Sequence, residues 1–332
     1  MGERPVIFST HLLHPQVTAA LEEIGRYRVA ERPTPEAIAR DSAGAQYIVV
    51  RAPIAPEIIA RETGLRALVR HGAGLDMIPV DAATEAGIVV ANVPGANAVT
   101  VAEHAIWSAL ALLRRYPQVH AGLRRDGWEA ARRHSDAGRE LAGRTIGIVG
   151  MGNIGRELAR IAGQGFGMQV LSHTRSPDKV PDGVTACSLP DLLAASDVLV
   201  LACPLNDATR GLIGAAELAA MRPGSVLVNV SRGPVVVEEA LLSALDSGHL
   251  AGAALDVFDR QPLPPDHPLL DRDTVILTPH MAGITEESML RMGQGVVAEI
   301  RRLEAGERPD NLVNPDVWPR YAARRDVPKA QP

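Results

Sequence analysis

Short runs of aliphatic and β-branched residues alternate along the chain with stretches whose apolar positions recur at helical spacing. Val6-Ile7-Phe8, Tyr47-Ile48-Val49-Val50, Ala67-Leu68-Val69 and Ile88-Val89-Val90 are continuous apolar runs. Strands covered on both faces read this way, whereas a strand with one wet face would alternate. Val17–Ile24 and the stretch from Pro35 to Arg40 lie between them with helical periodicity. Strands alternating with helices predict a parallel, doubly wound α/β sheet over the first part of the chain.

The turn-rich stretch Asn92-Val93-Pro94-Gly95-Ala96-Asn97 reads as a hinge. Thr100 is expected to open a long helix running to about Arg115, with Thr100 and Glu103 in capping-box spacing. Residues 117–144 are polar and without period, with Trp128 in the middle, and read as irregular. A second α/β series then starts at Thr145. Its expected strands are Thr145–Val149, Gln169–Leu171, Val198–Leu201, Ser225–Val230, Gly252–Asp256 and Val275–Thr278. A helix over Glu286–Ala305 follows, and then a tail containing Asn314-Pro315-Asp316. The second series is complete without this tail, so the tail is expected to pack on the first. That predicts a discontinuous domain of residues 1–96 and 285–332 and an inserted domain of residues 97–284. The last dozen residues are charged and expected to fray.

The first strand of the second series runs into Gly150-Met151-Gly152-Asn153-Ile154-Gly155, and helical spacing resumes with Leu158, Ile161 and Ala162. Strand, glycine turn and helix together are the context in which GxGxxG points to dinucleotide binding. Gly150 permits the tight turn, Gly152 lets backbone approach a pyrophosphate, and Gly155 lets the helix pack close to the strand. The N–H groups opening the helix, with Asn153 and Ile154 in its first turn, then meet the phosphates. Gly163, Gly165 and Gly167 also alternate, but they follow a helix and read as its cap and loop.

Composition narrows the classes. The chain has 332 residues, enough for two domains, and 46% are hydrophobic, enough for sizeable cores. The net charge of −5 argues against a general nucleic-acid or anionic-membrane binder. Only two cysteines occur, Cys187 and Cys203, without metal-type spacing, so they read as buried reduced thiols and no metal site is expected. The residues after Met1 lack the apolar region of a signal peptide and no run approaches a membrane span, so the expected compartment is the cytoplasm.

Candidate chemistry gathers where strands end, because ligands in open α/β sheets bind beyond the carboxyl ends of the strands. In the first series these are Arg51 and the loop Arg70-His71-Gly72-Ala73-Gly74, whose N–H groups can form an anion nest. A plain turn is the other reading of Gly72 and Gly74, a loop residue that of His71, and solvated surface charges that of Arg51 and Arg70. In the second series they are Asn229-Val230-Ser231-Arg232-Gly233, Leu255-Asp256-Val257-Phe258-Asp259-Arg260-Gln261 and Thr278-Pro279-His280. An arginine and a histidine beyond a dinucleotide fingerprint fit hydride transfer to a keto acid. A cation must hold the carboxylate and polarise the carbonyl, and an imidazole must exchange the hydroxyl proton.

Val101-Ala102-Glu103-His104, Gly150–Gly155, Ser231-Arg232-Gly233, Ala254-Leu255-Asp256-Val257-Phe258 and Thr278-Pro279-His280 together resemble the D-isomer-specific 2-hydroxyacid dehydrogenase family, over nearly the whole chain from Val6 to Trp318. The resemblance implies a Rossmann domain beside a smaller flavodoxin-like substrate domain, an active site in the cleft between them, and a homodimer built around the cofactor domains. By the same resemblance Arg232 binds the carboxylate and carbonyl of a small 2-keto or 2-hydroxy acid, and His280 is the acid/base. Arg51, His71, Gly72, Ala73, Gly74 and Asn97 would contact substrate. Cys203, Pro204, Thr209, Val230, Ser231, Asp256, His280 and Gly283 would line the cofactor, with Asp256 at the nicotinamide carboxamide. A strand-end cap is the other reading of Asp256.

Two positions depart from the family pattern. The catalytic Glu that partners the histidine should stand before Pro262, where this chain has Gln261. Formate dehydrogenases of the same family share that Gln and an Asn matching Asn97, so formate oxidation is the alternative activity. A dinucleotide-sensing co-regulator is the non-enzymatic one, and retention of Arg232 and His280 favours an enzyme. The second departure is in Leu171-Ser172-His173-Thr174-Arg175-Ser176. NAD-binding members carry an acid where Thr174 stands, and no acid occurs from Val170 to Pro177. An Arg in this position accommodates a 2′-phosphate, so Thr174 and Arg175 predict NADP in preference to NAD.

Overall fold

The computed structural model describes residues 4–321, and the frayed tail expected at the end of the chain lies almost wholly outside them. Backbone contacts divide the chain into two units, one of residues up to Asn97 with those from Thr285 onward, the other Ala98–Ile284.

The first unit begins with β1 (Val6–Ser9), α1 (Pro15–Ile24), β2 (Arg26–Val29), α2 (Pro35–Asp41), β3 (Tyr47–Val50), α3 (Pro56–Arg61), β4 (Ala67–Arg70), α4 (Val80–Glu85) and β5 (Val89–Ala91). All strands are parallel, in the order β2-β1-β3-β4-β5, which is the flavodoxin-like winding. The pleat sends alternate residues to opposite faces. Phe8, Ile48, Val50, Leu68 and Val90 join one core, and Ile7, Tyr47, Val49, Val69 and Val89 the other. β2 has no counterpart in the apolar pattern. Its Arg26-Tyr27-Arg28-Val29 is an edge strand, largely exposed, where positive charge guards against further pairing.

The second unit contains α5 (Ala98–Leu113), α6 (Tyr116–Arg125), α7 (Trp128–Arg132), β6 (Thr145–Val149), α8 (Asn153–Arg160), β7 (Gln169–His173), β8 (Val184–Ala186), α9 (Leu189–Ala195), β9 (Val198–Leu201), α10 (Ala215–Ala220), β10 (Ser225–Asn229), α11 (Glu238–Asp246), β11 (Leu250–Leu255) and β12 (Val275–Leu277). Its seven parallel strands run β12-β11-β10-β9-β6-β7-β8. The order reverses between β6 and β9, and a ligand crevice is expected at that switch point. Val198, Val200, Val226 and Val228 face α5 and α8, while Leu199, Leu201 and Leu227 face α9, α10 and α11. The last helix, α12 (Glu286–Ala305), returns to the first unit. There Val296, Ile300 and Leu303 cover the same sheet face as α1, and the Asn314 side-chain oxygen accepts from Val90 N–H at 2.8 Å.

Several expectations need correction. α5 opens at Ala98, so Thr100 is not its cap but a buried residue of the first turn. Residues 117–144 are largely helical, in α6, α7 and the short 3-10 turn Arg133–Ala137. These segments show no apolar period because they pack mainly on one another, with Gly122 facing Ala131, and leave Tyr116, Leu123 and Trp128 exposed. β8 is a seventh strand, too short and too half-exposed to announce itself. Gly163 and Gly165 lie inside a π-helical turn, Ile161–Gly165, and only Gly167 takes a left-handed loop conformation. Cys187 is half-buried, not buried. Among the described residues no helix is long and apolar enough to cross a membrane.

Candidate active site

The glycine turn sits at the switch point of the seven-stranded sheet. Gly150 has a φ of +99°, and a Cβ there would strike the backbone of Cys203, just past β9. A Cβ on Gly155 would strike the Gly150 carbonyl. At Gly152, by contrast, a Cβ would meet nothing within 4 Å. Two of the three glycines are therefore required by the protein's own packing, and the third borders open space of the kind a ligand fills. α8 starts immediately afterwards, with no side chain capping its first turn. Exposed Asn153 and half-buried Ile154 occupy that turn.

This turn borders a crevice of about 540 Å³. Its other walls are His173 at the end of β7 with Thr174, Arg175 and Ser176 after it, and Cys203, Pro204 and Thr209 beyond β9. Arg156 and Lys179 complete it, and none of its lining residues is an acid. The Arg156 guanidinium donates to the Lys179 carbonyl at 2.7 Å, tying the turn after β7 to α8. The Thr209 hydroxyl donates to the Pro204 carbonyl at 2.7 Å and so shapes the opposite wall. Burial pushes the Cys203 thiol up, so it is a neutral wall and not a nucleophile. The sequence reading missed Arg156 and Lys179. Basic side chains on a helix and in a loop look like ordinary solvated charges until the fold brings them to one crevice.

Three further strand ends of the same sheet carry the candidate chemistry. At the end of β10, Asn229 is buried, accepts from Ser231 N–H (3.0 Å) and Ser231 hydroxyl (2.8 Å), and donates to the Arg232 carbonyl (3.0 Å). It fixes the turn that carries Arg232, with Val230 and Ser231 buried alongside. Arg232 is half-buried and donates to the Ser231 carbonyl at 2.7 Å. Gly233 follows because a Cβ there would collide with the backbone at Phe258.

Beyond β12, His280 adopts a φ of +53°. For a residue with a Cβ this left-handed conformation costs roughly 1–2 kcal/mol and marks a place where the surroundings dictate the backbone. The His280 Nδ1 lies 3.2 Å from Gln261 Oε1, beyond β11. The amide oxygen can only accept, so Nδ1 carries the proton and Nε2 is the nitrogen for exchange. Asp259, the other possible partner, is exposed. Asp256 is buried, and its carboxylate accepts from the Thr278 hydroxyl, Met281 N–H and Ala282 N–H at 2.7–2.9 Å. The strand-end cap is the role these bonds describe. Gly283 is half-buried at the end of the same loop.

The first unit gathers its candidates at the ends of β3 and β4. Arg51 is held by its main chain on the Thr10 hydroxyl (2.9 Å) and by its guanidinium on the Leu12 carbonyl (3.0 Å). The Arg70 guanidinium is directed at backbone, donating to the carbonyls of Val50, His71 and Gly74. Gly72 N–H is engaged by the Arg70 carbonyl at 3.0 Å, so of the expected nest only the Ala73 and Gly74 N–H groups remain for an anion. His71 is 3% exposed, with neither ring nitrogen in good hydrogen-bond geometry. Burial, and then Arg51 and Arg70, push its imidazole down to about 3, against weak backbone contacts at His71 and Met289. His11, also lowered by burial and the same two arginines, joins this cluster and was not singled out from the sequence. Asn97 is half-buried immediately before α5. Among the described residues no group of three His, Cys, Asp or Glu could hold a metal ion.

The family model described as D-isomer specific 2-hydroxyacid dehydrogenase, NAD binding domain, matches residues 106–282. A D-3-phosphoglycerate dehydrogenase of Methanocaldococcus jannaschii is 36% identical over 314 residues, 93% of this chain and 59% of that protein. The chain thus spans about three fifths of the length of that relative. A glyoxylate reductase of Aeropyrum pernix is 37% identical over 95% of this chain and 97% of its own length. Among solved structures, an NADPH-dependent glyoxylate/hydroxypyruvate reductase of Sinorhizobium meliloti, in complex with NADP and malonate, superposes with a TM-score of 0.82 at 31% identity, covering 95% of this chain and 98% of that one.

Proposed function

This chain belongs to the D-isomer-specific 2-hydroxyacid dehydrogenase family, and we propose that within it the protein is an NADP(H)-preferring reductase of a small 2-keto acid. The observation that carries this reading is the His280–Gln261 pair at 3.2 Å, set in the same sheet as Arg232 and the glycine turn. The crevice fits a dinucleotide, since Gly152 borders open space and the walls offer cations without an acid. Gly150, Gly152, Asn153 and Ile154 would hold the pyrophosphate, Thr174 and Arg175 the ribose end, and Cys203, Pro204 and Thr209 the opposite wall. The bound cofactor supplies the hydride.

The protein's own residues do the rest. Arg232 holds the substrate carboxylate and draws charge from the carbonyl oxygen. His280 donates the proton to that oxygen during reduction and takes it back during oxidation. Gln261 keeps the ring oriented and its tautomer fixed without contributing charge. Arg175, with Lys179 and Arg156 at the same crevice, offers positive charge to a 2′-phosphate that an acid at Thr174 would repel. Exposed Trp107, Tyr116, Leu123 and Trp128, all in the second unit, are large apolar side chains that a homodimer contact would cover.

The test is a screen of glyoxylate, hydroxypyruvate and pyruvate against NADPH and NADH, followed by nicotinamide absorbance. Turnover with NADPH favoured is the expected result. Formate oxidation without keto-acid reduction would transfer the assignment to the reading that Gln261 also permits, and cofactor binding without turnover would favour a sensor.

A further inference from the structure

We propose that Asp256 is a positioning residue that acts through His280: with Thr278 and His104 behind it, its carboxylate keeps the acid/base imidazole in a left-handed turn the loop would not otherwise hold. The inference rests on the reading of His280 as the acid/base.

Asp256 is 3% exposed and its two carboxylate oxygens are directed at the loop. Oδ1 accepts from the Thr278 hydroxyl at 2.7 Å and from Met281 N–H at 2.8 Å, and Oδ2 accepts from Ala282 N–H at 2.9 Å. The Asp256 main-chain carbonyl accepts from His280 N–H at 2.8 Å. One residue at the end of β11 therefore gathers four donors from the five-residue stretch 278–282, on both sides of His280 and at His280 itself. Bonds to an ionised carboxylate are the strong kind. A φ of +53° on a non-glycine residue persists only where the surroundings over-determine it, and these bonds, with that of His280 N–H to the Thr278 carbonyl at 3.0 Å, belong to those surroundings.

The support extends one residue further. The Thr278 hydroxyl has a single proton, and it goes to Asp256. The oxygen can then only accept from His104 Nε2, which lies 3.4 Å away. Burial lowers the His104 imidazole although Asp256 opposes the shift, so at neutral pH it is uncharged and donates through Nε2–H. The direction of donation is His104 to Thr278 to Asp256, which ties α5 to the loop carrying His280.

The competing role for Asp256 is a direct contact with the nicotinamide carboxamide. Steady-state kinetics of Asp256→Asn, Thr278→Val and Thr278→Ser, with cofactor and keto acid each varied, separate the two. In Asp256→Asn the amide nitrogen cannot accept from the loop, so kcat is expected to fall about a hundredfold while the cofactor KM changes little. Thr278→Val, which removes one donor without touching the ligand crevice, should lower kcat about tenfold, and Thr278→Ser should restore it. A large rise in cofactor KM in Asp256→Asn, with Thr278→Val turning over like wild type, would overturn the proposal. Should Asp256→Asn fail to fold, the Thr278 pair decides alone: unchanged kcat in Thr278→Val refutes the positioning role. His280→Ala is the control, because full turnover there removes the acid/base reading and leaves the loop bonds without a catalytic purpose.

Discussion

His71 and His280 both follow a parallel strand, and the fold gives them opposite circumstances. His280 is half-buried on a strained loop, with one nitrogen anchored on the neutral acceptor Gln261. His71 is enclosed behind its loop without a good acceptor, and burial, with Arg51 and Arg70 beside it, pushes it down to about 3. An imidazole that stays neutral throughout the physiological range cannot shuttle a proton, and burial, reinforced by two nearby guanidinium groups, keeps this one neutral. Residue type at a strand end is thus a weak guide to role. The decisive quantities are exposure and the sign of the nearest polar partner.

The largest expected effect tests that contrast at its active end. His280→Ala should lower kcat by about 10²–10⁴-fold, the range for removing a general acid/base, whereas His71→Leu should leave turnover within a few-fold. Comparable losses in the two variants would erase the distinction. Arg232→Ala should lose about 10²–10³-fold in kcat/KM with cofactor binding intact, and Arg232→Lys should not recover it, because a planar bidentate contact is what is removed. Retention of most activity in Arg232→Ala would take the arginine out of the role.

Next in size is cofactor choice, which exists only in the second unit because only that sheet carries the glycine turn. Thr174→Asp should lower kcat/KM for NADPH by roughly tenfold or more and move preference toward NADH, through repulsion between the carboxylate and the 2′-phosphate. Equal use of both cofactors by the wild type would defeat this reading before any mutation.

A subtler contrast concerns charge at the histidine's partner. Gln261→Glu supplies the opposite charge that the present pair lacks, which favours imidazolium by roughly one to three units. The descending limb of keto-acid reduction should accordingly move to higher pH. A limb that stays in place in Gln261→Glu but drops in Asp259→Asn would make Asp259 the partner.

The smallest effect is a stability slope. The folded state holds His71 at about 3 against an ordinary 6.5, so between those values the unfolded chain binds the extra proton. Stability attributable to this group is complete above 6.5 and declines as pH falls toward 3, by up to about 1.4 kcal/mol per pH unit. His71→Leu should flatten the dependence of Tm on pH in that window. An unchanged slope would show that His71 is not the buried neutral group described.

Runs such as Val198–Leu201, apolar throughout and too short for a helix, read as strands buried on both faces, and such runs between helical stretches were enough to indicate wound parallel sheets. The glycine turn was equally legible, because sterics that admit only Gly150 and Gly155 leave a mark that no other residue can make. Arg232, His280 and Gln261 were legible as types in a motif. The direction of their contacts emerges with the fold: Gln261 meeting His280 across two strand ends, Arg156 reaching Lys179, and Asp256 turned into the loop at 278–282. The edge strands β2 and β8 and the helices α6 and α7 escaped for a related reason, since polar, half-exposed segments have no periodic apolar demand to display. Hydrophobic patterning records which face is covered, a local and repetitive property. Polar partners are chosen by distance and angle between residues far apart in the chain, and these exist only after the sheets have formed.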